Sequence, residues 1–125
     1  MISILNTYEA VESEKVVFWF KAAPVAKFPE NGGACVKYKG MQIAVFNFAM
    51  EGIWYACQNL CPHKMEMVLS RGIIGEEQGE PKVACPLHKN SFSLKTGKHL
   101  NGDLNRIATY PVKIEGDFVY IGFSE

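Results

Sequence analysis

The sequence predicts an all-β domain, an antiparallel sandwich or barrel whose chemistry sits on loops at one end. Three observations lead there. Short β-branched and aromatic runs recur along the chain, turn signals part them every few residues, and no long segment keeps a 3.6-residue apolar period. A chain of 125 residues is one domain by length. Residues 1–15 read as an N-terminal extension and 16–125 as the domain, with a loop subdomain at about 59–100.

In order, Val16 to Phe20 reads as a first strand, and Pro24, Pro29, Asn31, Gly32 and Gly33 break the following stretch into a loop. Ala34 to Tyr38 and Met41 to Phe48 flank Lys39-Gly40, a tight hairpin turn, and Glu51-Gly52 repeats the device ahead of Ile53 to Gln58. Ile43 and Val45 alternate with Ala44, Phe46 and Phe48, so both faces of that strand are apolar and a central position is expected. Met65, Met67, Val68 and Leu69 suggest a short helical turn ended by Ser70-Arg71-Gly72, and Glu76 to Pro81 an acidic, turn-rich tip. Lys82 to Ala84 returns as a brief strand. Ser91 to Leu94 and Lys98 to Leu100 surround a Lys95-Thr96-Gly97 turn. Ile107 to Ile114 and Phe118 to Phe123, joined by Glu115-Gly116-Asp117, close the sheet as strands packed on one side.

Composition excludes several classes of function. Hydrophobic residues make up 48% and charged residues 21%, with 13 basic and 13 acidic side chains. A disordered tail and a nucleic-acid binder working through bulk positive charge are therefore not expected. Glu9, Glu12 and Glu14 precede the first lysine, the wrong order for a secretory signal, and the apolar run Val16 to Phe20 ends at Lys21, far short of the roughly 20 residues of a membrane span. The expectation is a soluble cytoplasmic protein, in which cysteines bind metal or sit in cores more often than in disulfides.

Two short pairs of metal-ligand residues stand out. Cys61-Pro62-His63 and Cys85-Pro86-Leu87-His88 are separated by positions 64 to 84, and each offers one thiolate and one imidazole. Each cysteine is followed by a proline, which fixes a torsion and removes an amide donor. If Lys82 to Ala84 pairs back in a hairpin, the two loops become neighbours and can share one metal centre. A zinc site of two cysteines and two histidines is one possibility, although zinc knuckles usually space like ligands as Cys-x2-4-Cys or His-x3-5-His.

A Cys-x-His pair followed by a Cys-x-x-His pair resembles the ligand pattern of the Rieske family. The likeness extends through Val68-Leu69-Ser70-Arg71-Gly72-Ile73-Ile74-Gly75, Gly79-Glu80-Pro81 and Ala84-Cys85-Pro86-Leu87-His88-Lys89, which are similar to the small-subunit branch of assimilatory NAD(P)H nitrite reductases, over roughly residues 16 to 123. What the resemblance implies is a Rieske-type antiparallel fold and a 2Fe-2S cluster with Cys61 and Cys85 on one iron and His63 and His88 on the other. It also implies a large partner subunit carrying flavin, siroheme and iron-sulfur centres, and the reduction of nitrite to ammonium by the complex. The chain itself has no Gly-x-Gly-x-x-Gly fingerprint and no nucleophile-base-orienter set, so no catalytic residue is assigned to it. A stand-alone Rieske ferredoxin serving an oxygenase, and a structural zinc module, are the alternatives.

Two neutral imidazoles in place of two thiolates leave the cluster less negative and easier to reduce, with potentials of about -150 to +300 mV against about -400 mV for plant-type ferredoxins. Within that range a low value is expected. Relatives of high potential carry a disulfide across the two loops, where this chain has Glu66 and Leu87, and a serine and a tyrosine donating to sulfur, where it has Asn90 and Phe92. Of the remaining residues, Cys35 and Cys57 are expected to be small buried hydrophobes and His99 to be solvent-exposed. Lys64 and Lys89, each directly after a ligand histidine, read equally as surface lysines or docking residues. Trp19, Trp54 and the phenylalanines read as core.

Overall fold

The computed structural model of the chain describes residues 10–124. Residues 1–9, most of the expected extension, lie outside them; its described part is tied to the body by a parallel bridge from Ala10 to Thr109 and by Val11 N–H to the Thr109 carbonyl at 2.8 Å.

Twelve strands are present among the described residues: β1 (Phe18–Pro24), β2 (Gly32–Tyr38), β3 (Met41–Phe48), β4 (Ile53–Gln58), β5 (Leu60–Cys61), β6 (Glu66–Met67), β7 (Ile73–Glu77), β8 (Glu80–Ala84), β9 (Ser91–Ser93), β10 (Thr109–Tyr110), β11 (Val112–Glu115) and β12 (Phe118–Phe123). They form sheets of order β10-β4-β3-β2, β1-β12-β11, β7-β8-β9 and the small pair β5-β6. The pairings of β2 with β3, β3 with β4, β7 with β8 and β1 with β12 are all antiparallel. No helix among the described residues is long and apolar enough to cross a membrane.

Strand β3 is central, as its two apolar faces require. Ala44, Phe46 and Phe48 enter one core with Leu69, Val83, Phe92, Leu94, Ile107 and both cysteines of the ligand pairs. Ile43 and Val45 enter a second core with Val119, Ile121, Phe123, Tyr38 and Tyr110. Tyr38 stacks on Phe123 there, with centroids 4.2 Å apart. Phe46 and Phe92 are fully buried, which contributes roughly 2–3 kcal/mol each. The first core lies directly beneath the ligand loops and gives them a rigid floor.

Several expectations are corrected. The first strand begins at Phe18 and runs through Pro24, leaving Val17 74% exposed. Pro24 is tolerated at its last position on an edge strand, since β1 pairs with β12 alone. Gly32 and Gly33 open β2 instead of belonging to the loop. The acidic tip is a regular hairpin, with Glu76 and Glu77 in β7, Glu80 and Pro81 in β8, and a turn at Gln78-Gly79 where both residues have positive φ. The expected helical turn is divided: Met67 pairs in β6, and Leu69–Arg71 forms a 3-10 turn stopped by Gly72. Pro111 splits the expected strand from Ile107 to Ile114 into β10 and β11, because proline has no N–H to continue the ladder, and Ile114 is exposed.

Candidate metal centre

The two ligand loops are built alike. Cys61 opens the first at the end of β5, and the loop closes five residues later where Cys61 pairs with Glu66 in β6. Cys85 opens the second just after β8, and the loop closes five residues later where Cys85 N–H donates to the Asn90 carbonyl at 2.8 Å. Met65 and Lys89 each stand four residues after their cysteine with φ of 56° and 60°. That left-handed step reverses each loop within a single turn, although both residues are ordinary L-amino acids. β7, β8 and the 3-10 turn at Leu69–Arg71 link the two loops.

The loops place the four expected ligand residues together. Cys61 and Cys85 are 2% and 1% exposed, inside the first core. Both belong to one core cluster, and burial pushes the Cys61 thiol up to about 11, with the His63 backbone N–H opposing the shift and Cys85 reinforcing it. His63 and His88 lie outside this pair and are exposed, with ring centroids 4.6 Å apart at 72°. Two sulfurs therefore meet on the core side and two imidazoles on the solvent side. Among the described residues no three His, Cys, Asp or Glu side chains surround a point that one ion would fill. Donors sorted into a sulfur pair and a nitrogen pair fit a two-iron centre with unlike ends.

The supporting polar residues escaped the sequence reading. Asn59 is 2% exposed; its side chain donates to Gln42 Oε1 at 2.8 Å and accepts from Ser70 N–H at 2.6 Å, locking β3 to the 3-10 turn. Gln58 Nε2 donates to the Leu60 carbonyl at 2.8 Å while its Oε1 accepts from Ala108 N–H at 2.7 Å. Behind the second loop, Asn101 Nδ2 donates to the Lys89 carbonyl at 3.0 Å and its Oδ1 accepts from Ser91 N–H at 2.9 Å. The available signal was the Gln58-Asn59 pair just ahead of Cys61; Asn101 carried none.

Two single-residue expectations fail. His99 is 5% exposed instead of solvent-facing, since the hairpin after β9 folds its ring onto Phe92 with centroids 5.0 Å apart. Cys35 is exposed, because β2 is an edge strand and this side chain faces outward toward Gln42. Cys57 is fully buried as expected. Trp54 is half-buried edge-on against Phe28, and Phe18 is 46% exposed where core was expected.

Around the imidazoles lie Lys64, Lys89, Pro86 and the exposed Met65, Met67 and Leu87. Glu80 is five residues before Cys85, so the acidic hairpin tip is roughly 17 Å away along an extended strand. Lys64 and Lys89 stand at the ligand tip beside the exposed Glu66, and Glu76, Glu77 and Glu80 at the far end of the hairpin, where Glu77 pairs with Lys82 at 3.0 Å.

Comparison with known proteins decides the family. The model of the Rieske-like 2Fe-2S domain matches residues 18–122. The chain belongs to that family. A ferredoxin component of naphthalene 1,2-dioxygenase/salicylate 5-hydroxylase systems from Ralstonia sp. is 39% identical over 78% of this chain and 88% of its own length. The nitrite reductase [NAD(P)H] large subunit of Klebsiella oxytoca is 34% identical over 83% of this chain, which spans 11% of that much longer protein. The solution structure of the nitrite reductase [NAD(P)H] small subunit of Erwinia carotovora superposes with a TM-score of 0.72 at 31% identity, covering 86% of this chain and 82% of that one. The Rieske domain is thus a Rieske 2Fe-2S electron-transfer type with an antiparallel β fold, and its structural neighbours include nitrite reductase small subunits.

Proposed function

We propose that this chain carries single electrons as the small subunit of a cytoplasmic NAD(P)H-dependent nitrite reductase. In this reading Cys61 and Cys85 hold one iron of the Rieske cluster, and His63 and His88 hold the other. The observation that carries the assignment is the sorting of the four side chains into a buried sulfur pair and an exposed imidazole pair. When bound, the cluster supplies a one-electron acceptor and donor.

The chain's own residues do the rest. The apolar floor of Phe92, Leu69 and Val83 keeps water from the sulfur side, where a thiolate exposed to solvent would be open to oxidation. The imidazoles face outward, so their outer edges are presented to solvent or to a docked partner. Met65, Met67 and Leu87 give a partner an apolar contact around those rings, and Lys64 and Lys89 orient an acidic rim upon it. Among the described residues none is assigned a role on nitrite; in this reading that chemistry belongs to a large flavin and siroheme partner.

The test is co-expression with that large subunit. The expected result is a complex that reduces nitrite with NAD(P)H and loses most of that rate without this chain. No association and no change in rate would refute the assignment. The Ralstonia likeness, over 88% of a ferredoxin component of dioxygenase and hydroxylase systems, favours a second reading in which the chain serves an oxygenase. Electron delivery to a Rieske oxygenase, with none to siroheme, would select that reading.

A further inference from the structure

The ring of His99 has both nitrogens committed. Leu104 N–H donates to its Nδ1 at 2.9 Å, and its Nε2 stands 3.1 Å from Asn90 Oδ1. Since Nδ1 accepts, the proton of the neutral ring must be on Nε2, and the Asn90 atom facing it must be the oxygen. The amide of Asn90 therefore has one permitted orientation, and its Nδ2 makes no hydrogen bond within the described residues. Gly102 lies against the ring, where an added Cβ would collide with His99 Cε1 and Nδ1, so no larger residue fits there without displacing the imidazole.

Asn90 is also the residue that closes the second ligand loop, through its carbonyl and Cys85 N–H at 2.8 Å. One residue earlier, Lys89 is held at φ 60° with its N–H on the Cys85 carbonyl at 2.8 Å and its carbonyl on Asn101. Leu100 N–H reaches the Ser91 carbonyl at 2.7 Å. Residues 99 to 101 thus hold the last two residues of the loop, 89 and 90, and the first of β9, Ser91. Of these contacts, only that from His99 is made to the Asn90 side chain.

We propose that His99 is a positioning residue of the cluster centre, acting through Asn90, whose amide it turns and locks so that the second ligand loop keeps one geometry. The inference rests on the ligand assignment proposed above. Hydrogen-bonded neighbours of ligand residues set both their geometry and their redox behaviour.

The test is a cycle of midpoint potentials on the full, anaerobically reconstituted chain: wild type, His99→Phe, Asn90→Ala and the double variant. His99→Phe keeps a flat ring on Phe92 and removes both hydrogen bonds. Both single variants are expected to shift the midpoint in the same direction, and the double variant to shift it no further than the larger single shift. His99→Gln, which can both donate and accept, should reverse most of the His99→Phe shift. A wild-type midpoint in iron-replete Asn90→Ala would overturn the proposal, as would additive shifts in the double variant. Should His99→Phe fail to take up iron, Asn90→Ala and His99→Gln decide by the same criteria. An iron-free wild-type chain would overturn the ligand assignment as well, whereas additivity in an iron-replete series would overturn this proposal alone.

Discussion

Met65 and Lys89 are counterparts: each follows its cysteine by four residues, and each holds a left-handed backbone, at φ 56° and 60°. One loop presents its histidine two residues after the cysteine and the other three, yet both turn back at the same step. The shared geometry brings the histidines to within 4.6 Å of one another despite their different spacing.

Replacing Lys89 tests that step. Lys89→Gly relieves a non-glycine residue of positive φ and should raise stability by up to about 1 kcal/mol, whereas Lys89→Val should cost roughly 1–3 kcal/mol and weaken iron retention. Urea unfolding of the reconstituted variants measures both. Equal midpoints for the two would show that the loop does not depend on this torsion.

Gly72 and Gly75 make a matched pair in β7 and just before it. A Cβ on Gly72 would meet the Ala84 carbonyl oxygen at 2.5 Å and Val83 at 2.6 Å, while one on Gly75 meets only the end of Lys82 at 3.8 Å. Gly72→Ala should cost about 1–3 kcal/mol and lower cluster content, since it pushes β7 away from the strand leading into Cys85. Gly75→Ala should stay within about 0.5 kcal/mol of wild type. Thermal unfolding together with iron analysis separates the two cases.

Much of this was legible in the sequence. The extents of β3, β4 and β12, the central place of β3 and the four ligand candidates follow from apolar alternation, turn residues and the spacing of Cys61, His63, Cys85 and His88. What was not legible depends on pairing between distant segments. The strand character of Ile73–Glu77 is hidden by its glutamates, which are tolerated because that hairpin tip faces solvent at the far end from the ligands. His99 looks like a surface histidine until the hairpin behind β9 lays it on Phe92. Asn59, Asn90 and Asn101 look like loop residues, and their roles exist only once the backbone groups they satisfy have been brought to them.

His88→Cys should retain iron and lower the midpoint, because a thiolate adds negative charge to the outer end of the centre. Potentiometric titration of the variant against wild type gives the comparison. An unchanged midpoint would show that His88 is not a ligand.

Burial raises the Cys57 thiol far above its ordinary 9.0, and Tyr110 is raised above 10.0 by burial and by Cys57. For groups whose folded pKa lies above the unfolded one, stability is intact below the unfolded value and declines as pH rises beyond it. Unfolding free energy should therefore fall above about pH 9, at up to roughly 1.4 kcal/mol per pH unit for the thiol. Cys57→Ala should begin less stable and show a shallower alkaline decline, since the share of the decline that comes from this thiol is then gone. Urea midpoints collected between pH 8 and pH 11, on the order of the range that these reference pKa values span, check the slopes. Parallel slopes would contradict the account.

The electron paramagnetic resonance spectrum of the dithionite-reduced chain, taken with iron, sulfide and zinc analysis on the same sample, is the most direct measurement. The structure calls for two irons and two sulfides per chain and a rhombic signal of low average g, as expected of a cluster with imidazoles at one end. A silent spectrum with stoichiometric zinc, or a signal unchanged when His63 and His88 are both replaced, would contradict it.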